Sequence, residues 1–142
     1  MIQPGNWGRV LHRYENATVT QQLFGNAWIL ARELKFENVR LQSFAEKPSR
    51  FAAAFCCVNE NDARAYQAKV DFPRIQLLHR VELVDPALAW HSGAIDMLDY
   101  PPPNTSFLDQ TNARAIAYWS GSLAGAMEIV TLSPLRVVAN ID

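Results

Sequence analysis

The segment AMEIVTLSPLRVV, residues 126–138, carries the most informative pattern in the chain of 142 residues. It is predicted to form a strand because apolar and β-branched residues dominate it, with a bulge or break at Pro134. Glu128 is a lone carboxylate at the start of this otherwise apolar strand. Because side chains alternate along a strand, Glu128 shares a face with Val130 and Leu132 and is not expected to point into bulk water.

Two interpretations of Glu128 remain open at this point. A structural carboxylate could sit at the wet end of an edge strand. Alternatively, the side chain is held in place for chemistry, since burying a carboxylate is costly unless something binds it. A placed carboxylate can stabilise the oxocarbenium-like state of a sugar that loses a leaving group from its anomeric carbon.

Composition indicates an ordinary globular chain, 49% hydrophobic and 19% charged, of a length that fits one domain, residues 1–142. The net charge of -1 excludes a global attraction to nucleic acid or to acidic membranes, and leaves a local basic patch open. The first residues, MIQPGNWGRV, lack the apolar core of a signal peptide. The longest apolar run, FAAAFCCV, is too short to cross a bilayer, so we expect a soluble protein.

Periodicity and turn residues predict an α+β fold, because helices and strands are mixed without a regular βαβ alternation. The clearest helix covers residues 26–42, with Asn26 as its cap and an apolar stripe that includes Leu34 and Leu41. Within it, Glu37 and Arg40 are spaced for an ion pair. The remaining predicted elements are a strand at 9–15, a strand at 50–58, a helix at 59–69 capped by Asn59, a strand at 75–84, a long connection at 85–106, a helix at 107–119 capped by Ser106, and a loop at 120–125.

The nucleophile and metal-ligand residues form no familiar motif. Cys56 and Cys57 are neighbours in a predicted strand and point to opposite faces, so we expect two free thiols and no disulfide. The cysteines and the three histidines lack metal-ligand spacing, and no metal site is predicted. His79 is expected to be a neutral core histidine, and His91 to lie in a solvated turn. Phosphate-binding and nucleophile-elbow motifs are absent from the sequence.

Four segments taken in order resemble the ADP-ribosyltransferase superfamily, closest to a bacterial branch that includes polymorphic-toxin domains. They are ARELKFENVRLQSFAEKPSRFAAAF, NDARAY, AIAYWSG and MEIVTLSPLRVV, and together they span roughly residues 33–138. The order of these segments is specific, whereas each of them alone is weak. The resemblance implies two packed, mostly antiparallel sheets around a cleft for NAD, with flanking helices.

Carried over by this resemblance, Glu128 is the catalytic carboxylate, which contacts the nicotinamide ribose and steadies the cation as nicotinamide leaves. The resemblance places Ser49 and Arg50 in support of the site. It makes Phe55 and Tyr66 an aromatic pair around nicotinamide, although Phe55 lacks the hydroxyl that is usual there. Without the resemblance, these residues would be assigned to a loop-to-strand turn, to core packing and to an amphipathic helix.

The first strand of the superfamily carries a His or Arg that contacts the cofactor. Either VLHRY provides this contact through His12 or Arg13, or the strand is missing from this chain and cofactor affinity suffers. In the first case Arg13 would pair with the pyrophosphate of NAD and His12 with a ribose.

The resemblance implies a mono-ADP-ribosyltransferase that uses NAD as a substrate, modifies a macromolecule and acts as a toxin or effector. Such a protein would work in the cytoplasm, its own or that of a target cell, and would have a cognate immunity protein. Ala126 stands where arginine-modifying members commonly carry Gln or Glu, so arginine is not the favoured acceptor. Two alternatives remain open: an NAD glycohydrolase with water as acceptor, and an inactive module that binds nucleic acid or protein.

Overall fold

The computed structural model describes Met1 and residues 20–69, 76–102, 104–121 and 124–142, with side chains in the first helix from Ala27 onward. The described elements are three α-helices, five strands and one short 3₁₀ helix. In chain order they are α1 (Thr20–Ser43), β1 (Ala54–Cys57), α2 (Glu60–Lys69), β2 (His79–Leu83), β3 (Trp90–Ala94), the 3₁₀ helix (Ile95–Leu98), α3 (Phe107–Ser120), β4 (Met127–Thr131) and β5 (Leu135–Asn140). The protein is α+β, as the sequence predicts.

The strands of the described residues form two antiparallel sheets. One sheet has the order β1-β4-β3, with β4 in the middle, and the other pairs β2 with β5. The single predicted C-terminal strand is therefore two strands in different sheets. Pro134 lies at the break between them, because proline cannot donate to a sheet ladder.

The core lies where α1 and α3 cover one face of the three-stranded sheet. Trp119 donates a hydrogen bond from Nε1 to the carbonyl of Phe36 at 2.8 Å, which ties α3 to α1. The rings of Phe36 and Tyr118 pack with their centroids 5.2 Å apart. The buried cluster consists of Phe36, Val39, Ala53, Ala115, Tyr118, Trp119 and Val130.

The predicted apolar stripe of α1 is wrong. Leu34 and Leu41 are 55% and 60% exposed, whereas Glu33 and Arg40 are buried beside the core. A hydrophobicity pattern could not find this face, because two of its positions are charged, and the burial of Glu33 depends on Arg50, which lies outside the helix. The helix also begins before Asn26, which is therefore not its cap.

Local turn chemistry is predicted more successfully. The Oδ1 atom of Asn59 accepts from the backbone N–H of Asp62 at 2.9 Å at the start of α2. The hydroxyl of Ser106 accepts from the backbone N–H of Asp109 at the start of α3. The Glu37–Arg40 ion pair is also present, at 2.8 Å. These contacts depend on sequence neighbours alone, which is why the sequence reveals them.

The segment at 85–106, predicted as a long connection, contains the strand β3 and the 3₁₀ helix. His91 lies in β3 and is buried, not in a solvated turn, while the predicted core residue His79 is exposed. The sequence WHSGA gives no apolar alternation because its buried face is lined by an imidazole and a glycine.

Cys56 and Cys57 are free, as predicted. Within the described residues, no helix is both long and apolar enough to cross a membrane.

Candidate functional site

Glu128 occupies the second position of the central strand β4 and is only 6% exposed. Its neighbours across the sheet are Cys57 in β1 and Gly93 in β3. It lies on the same face as Val130, which is fully buried. The carboxylate is thus covered, as the alternation in the sequence predicts, and is not at a wet strand end.

Arg50 provides the positive charge that faces Glu128. Its Nη1 atom donates to Oε1 of Glu128 and, at 2.6 Å, to the hydroxyl oxygen of Tyr118. Arg50 is 3% exposed, and its guanidinium carbon lies 4.8 Å from the centre of the Phe55 ring. Burial opposes the charge of Arg50, but the carboxylates of Glu128 and Glu33 outweigh burial and raise the pKa of the guanidinium well above its ordinary value.

Tyr118 completes the contacts of the carboxylate. Its hydroxyl donates to Oε1 of Glu128 at 2.6 Å while it accepts from Arg50. Burial raises the pKa of this phenol well above its ordinary value, and the Glu128 charge acts in the same direction against the opposing effect of Arg50. The hydroxyl therefore keeps its proton and remains a donor throughout the physiological pH range.

Gly93 leaves the space that the Tyr118 ring occupies. A Cβ atom added at Gly93 would lie 2.2 Å from Cε2 of Tyr118. Because the ring is fully buried against Phe36, His91 and Trp119, it has no room to move aside.

We expect Gly93→Ala to destabilise the fold by about 1–3 kcal/mol, because an extra methyl group in a packed core displaces its neighbours. Urea unfolding followed by circular dichroism measures the change. Ser92→Ala is the control, since Ser92 lies on the opposite sheet face and should change stability by less than about 0.5 kcal/mol. Equal stabilities for the wild type and Gly93→Ala would contradict the close packing of Tyr118 on β3.

Glu33 in α1 holds the other side of the Arg50 guanidinium. Its Oε2 accepts from Nε at 2.7 Å and its Oε1 from Nη2 at 3.2 Å, a bidentate arrangement. Oε1 also accepts from Nη2 of Arg32 at 2.7 Å. Burial alone would raise the pKa of Glu33, but Arg50 and Arg32 outweigh burial and hold the pKa below its usual value.

We call Glu33, Arg50, Tyr118 and Glu128 the buried charge network. With Arg32 included, it holds two carboxylates and two guanidinium groups, so its formal charge is zero. It joins α1, the loop before β1, α3 and β4. Separating any one charge from this set would leave a buried ion without its partner, which costs several kcal/mol.

The structure brings some of the predicted site residues together. Arg50 donates to Glu128, and the ring of Phe55, which pairs with Val130 across the sheet, packs against the Arg50 guanidinium. Tyr66, on α2, is 42% exposed. Partial burial is the larger cause that raises the pKa of its phenol, and the negative charge of Glu128 is the second. Tyr66 is thus within electrostatic reach of the network while its ring stays accessible.

Ser49 belongs to a neighbouring cluster. Its hydroxyl donates to Oε2 of Glu37 at 3.0 Å and accepts from the backbone N–H of Phe51. Arg40 donates to the same Glu37 carboxylate and to the carbonyl of Lys47. Ser49 therefore shapes the loop that carries Arg50. The two predicted N-terminal contacts, His12 and Arg13, lie outside the described residues.

Sequence reasoning missed Glu33 and Tyr118 as members of the site. Glu33 lies on the same face of the helix as Phe36 and Arg40, and this position could have indicated its burial. A search for apolar stripes ignores charged residues and therefore misses it. Tyr118 stands inside the segment AIAYWSG, but nothing in that segment indicates what its hydroxyl contacts. Apart from Arg32, which adjoins Glu33, the side-chain hydrogen-bond partners of both residues are ten or more positions away in the sequence.

His91 was also missed as a buried polar residue. Its Nε2 donates to the carbonyl of Tyr118 at 2.8 Å, and Nδ1 accepts from Nζ of Lys47 at 3.2 Å. Burial lowers the pKa of the imidazole, which agrees with a neutral ring that has one N–H. His91 thus anchors the C-terminal end of α3, which carries Tyr118.

A cavity of about 270 Å³ lies beside the strand position that pairs with Glu128. The end of β1, the first turn of α2 and the strand β2 line it, so it lies between the two sheets. Cys57 lines the cavity and is the cross-strand partner of Glu128. Burial and, secondly, the Glu128 charge raise the pKa of this thiol to about 11. It therefore stays protonated at neutral pH and is a poor nucleophile.

Within the described residues, no group of three or more His, Cys, Asp or Glu side chains is arranged to hold a metal ion.

Comparison with known proteins identifies one family. No curated protein matches the chain significantly. The model of a family described as "protein of unknown function", DUF2441, matches residues 8–142, and so includes every residue of the buried charge network. Because this match extends over nearly the whole sequence, the chain belongs to the DUF2441 family.

Proposed function

We propose that this protein is a mono-ADP-ribosyltransferase that transfers ADP-ribose from NAD to a macromolecular acceptor, with Glu128 as the catalytic carboxylate. The proposal starts from the resemblance of four ordered segments to that superfamily. The observation that carries it is the placement of Glu128, which is a buried carboxylate in the central strand with one oxygen held by Arg50 and Tyr118.

A carboxylate in this position suits the breaking of the nicotinamide–ribose bond. The bonding electrons leave with the nicotinamide nitrogen, and positive charge develops on the anomeric carbon and the ring oxygen of the ribose. A fixed negative charge in a site of low dielectric favours that state, since no solvent needs to reorganise as the charge appears. The acceptor then forms the new bond to the anomeric carbon and loses its proton.

The hydrogen bonds at Oε1 would fix the rotamer of Glu128. The other carboxylate oxygen, Oε2, makes no hydrogen bond to the described residues, which leaves it for a ribose hydroxyl. In this proposal Oε1 is the anchor and Oε2 is the atom that contacts substrate. Arg50 and Tyr118 are then positioning residues.

The cavity between the sheets lies beside the network and not at it. Glu128, Arg50, Phe55 and Tyr66 do not line this cavity, which reaches Glu128 only through its cross-strand partner Cys57. The cavity of about 270 Å³ lies between the two sheets, where the superfamily binds NAD, and is close to the lower size limit of ligand pockets. It would admit only part of the NAD molecule. Tyr66 provides an accessible ring for stacking near the network, as the resemblance implies, while Phe55 is engaged by Arg50.

The acceptor is proposed only by class. Ala126 precedes Glu128 by two positions, and its methyl group cannot orient a guanidinium, so the proposal favours an acceptor other than arginine. A protein side chain and a nucleic acid both fit this description. A toxin or effector role with a cognate immunity protein belongs to the same proposal and rests on the resemblance alone.

The Arg50–Glu128 contact also favours a competing role for Glu128. A carboxylate paired with a buried guanidinium has less negative potential to offer a substrate, and the pair could serve only to join β4 to the loop before β1. In that case the protein would be an inactive member of the fold that binds a partner through its cleft.

One assay separates these roles. The purified protein is incubated with NAD labelled in the adenylate phosphate, together with cell lysate as a source of acceptors, and free nicotinamide is measured in parallel. We expect nicotinamide release together with labelled macromolecules that survive denaturing electrophoresis. Free labelled ADP-ribose without labelled macromolecules would indicate a glycohydrolase. Absence of nicotinamide release would overturn the proposal and leave the binding module.

A further inference from the structure

We propose that Glu33 is a positioning residue for catalysis by Glu128, acting through the guanidinium of Arg50. This inference rests on the proposed function. Glu33 is only 2% exposed, so it cannot itself touch a substrate. Its effect on Glu128 must pass through the side chain that lies between them.

The geometry of the guanidinium makes this possible. Glu33 engages Nε at 2.7 Å and Nη2 at 3.2 Å, which are two of the three nitrogens of a planar group. Once two nitrogens are fixed, the direction of the third is fixed as well. That third nitrogen, Nη1, is the one that reaches Tyr118 and Glu128.

The charges give Glu33 a second effect. Arg50 lies between two carboxylates, so its positive charge is shared between Glu33 and Glu128. If Glu33 lost its charge, the guanidinium would be attracted to Glu128 alone and would neutralise it more fully. The carboxylate of Glu33 thus preserves part of the negative potential that Glu128 offers to a developing cation.

Several contacts hold this arrangement in place. The Arg50 guanidinium carbon lies 4.8 Å from the Phe55 ring centre and 5.1 Å from that of Tyr118, so aromatic rings flank the group. On the other side, Arg32 donates to Oε1 of Glu33 at 2.7 Å and to the carbonyl of Leu98 at 2.7 Å. Glu33 is therefore itself anchored, and its orientation does not depend on Arg50 alone.

The test compares the steady-state kinetics of nicotinamide release by wild type, Glu33→Gln and Glu33→Asp. Assays run at a temperature at which circular dichroism shows each variant fully folded, and calorimetry with NAD counts the competent sites. We expect Glu33→Gln to lower kcat by about 10- to 100-fold, with KM changed by less than about threefold and with close to one NAD bound per chain. Glu33→Asp keeps the charge and should recover part of kcat.

Glu82→Gln is the control, because it makes the same chemical change in an exposed pair with Arg136 at 2.9 Å. It should leave kcat unchanged. If the wild type turns over NAD and Glu33→Gln does so at the same kcat, the positioning role is overturned while the proposed function stands. If Glu33→Gln does not fold, the result for Glu33→Asp is used instead. A kcat for Glu33→Asp equal to that of the wild type would overturn the positioning role of Glu33, because the shorter side chain should misplace Arg50. If the wild type itself releases no nicotinamide, the proposed function fails and the inference fails with it.

Discussion

Replacement of Glu128 by glutamine is expected to lower kcat for nicotinamide release by about 10²- to 10³-fold, the range seen when a single electrostatic stabiliser of a transition state is removed. Glutamine keeps the shape of the side chain and an oxygen that can accept from Tyr118 and Arg50. It removes the negative charge that the developing ribosyl cation would require. The loss should therefore appear in kcat, with a smaller change in KM.

The measurement is nicotinamide release at saturating NAD, with folding checked by thermal unfolding. Glu82→Gln again provides the matched control, since its carboxylate is paired with an arginine but lies on the exposed sheet of β2 and β5. Retention of wild-type kcat by Glu128→Gln would rule out Glu128 as the catalytic group. A large fall in stability in a protein without any NAD turnover would instead assign Glu128 to the structural role.

Replacement of Arg50 by methionine is expected to destabilise the protein by about 3–5 kcal/mol at pH 7, because it leaves buried carboxylates without their shared partner. Methionine fills much of the volume of the arginine stem but carries no charge. Both Glu33 and Glu128 would then face a buried environment in which, among the residues that the structure describes, only Arg32 and the Tyr118 hydroxyl remain as partners.

The cost of Arg50→Met should depend on pH in a defined direction. In the wild type, the pKa of Glu33 is held below its ordinary value of 4.5, so its ion pairs stabilise the fold above that pH and lose this effect as the pH falls through the lowered pKa. In the variant, Arg50 no longer offsets burial, so the buried carboxylate takes up a proton more readily. The difference in stability between wild type and variant should therefore be largest near pH 7. It should shrink as the pH falls towards 4.5, because the carboxylate of the variant is protonated first, and shrink further below 4.5 as the wild type loses its ion pairs.

Urea unfolding at a series of pH values measures this difference. Arg64→Met is the matched control, because Arg64 pairs with Glu60 and Asp142 while its side chain is 46% exposed. Exposed ion pairs contribute little to stability because solvent screens them, so that variant should remain near wild-type stability. A cost for Arg50→Met below 1 kcal/mol, or one that does not change between pH 4 and pH 7, would contradict the account of the buried charge network.

Features of the site that depend on sequence neighbours could be predicted, and features that depend on distant partners could not. The burial of Glu128 follows from its alternation with Val130, because a strand places both side chains on one face. The identity of its partners does not follow, since Arg50 and Tyr118 come from two other elements, and Glu33, which binds Arg50, comes from a third. Their roles depend on how α1 and α3 pack on the sheet.

The sequence by itself determined the α+β class, the helix caps at Asn59 and Ser106, the Glu37–Arg40 pair and the break at Pro134. Each of these is set by backbone geometry or by hydrogen bonds within a few residues. Only the tertiary structure decided which face of α1 is buried, that WHSGA forms a strand, and that one guanidinium lies between two carboxylates. The physical reason is that a charge can be buried only where an opposite charge lies next to it. Whether two distant residues become neighbours depends on how the helices and the sheet pack together.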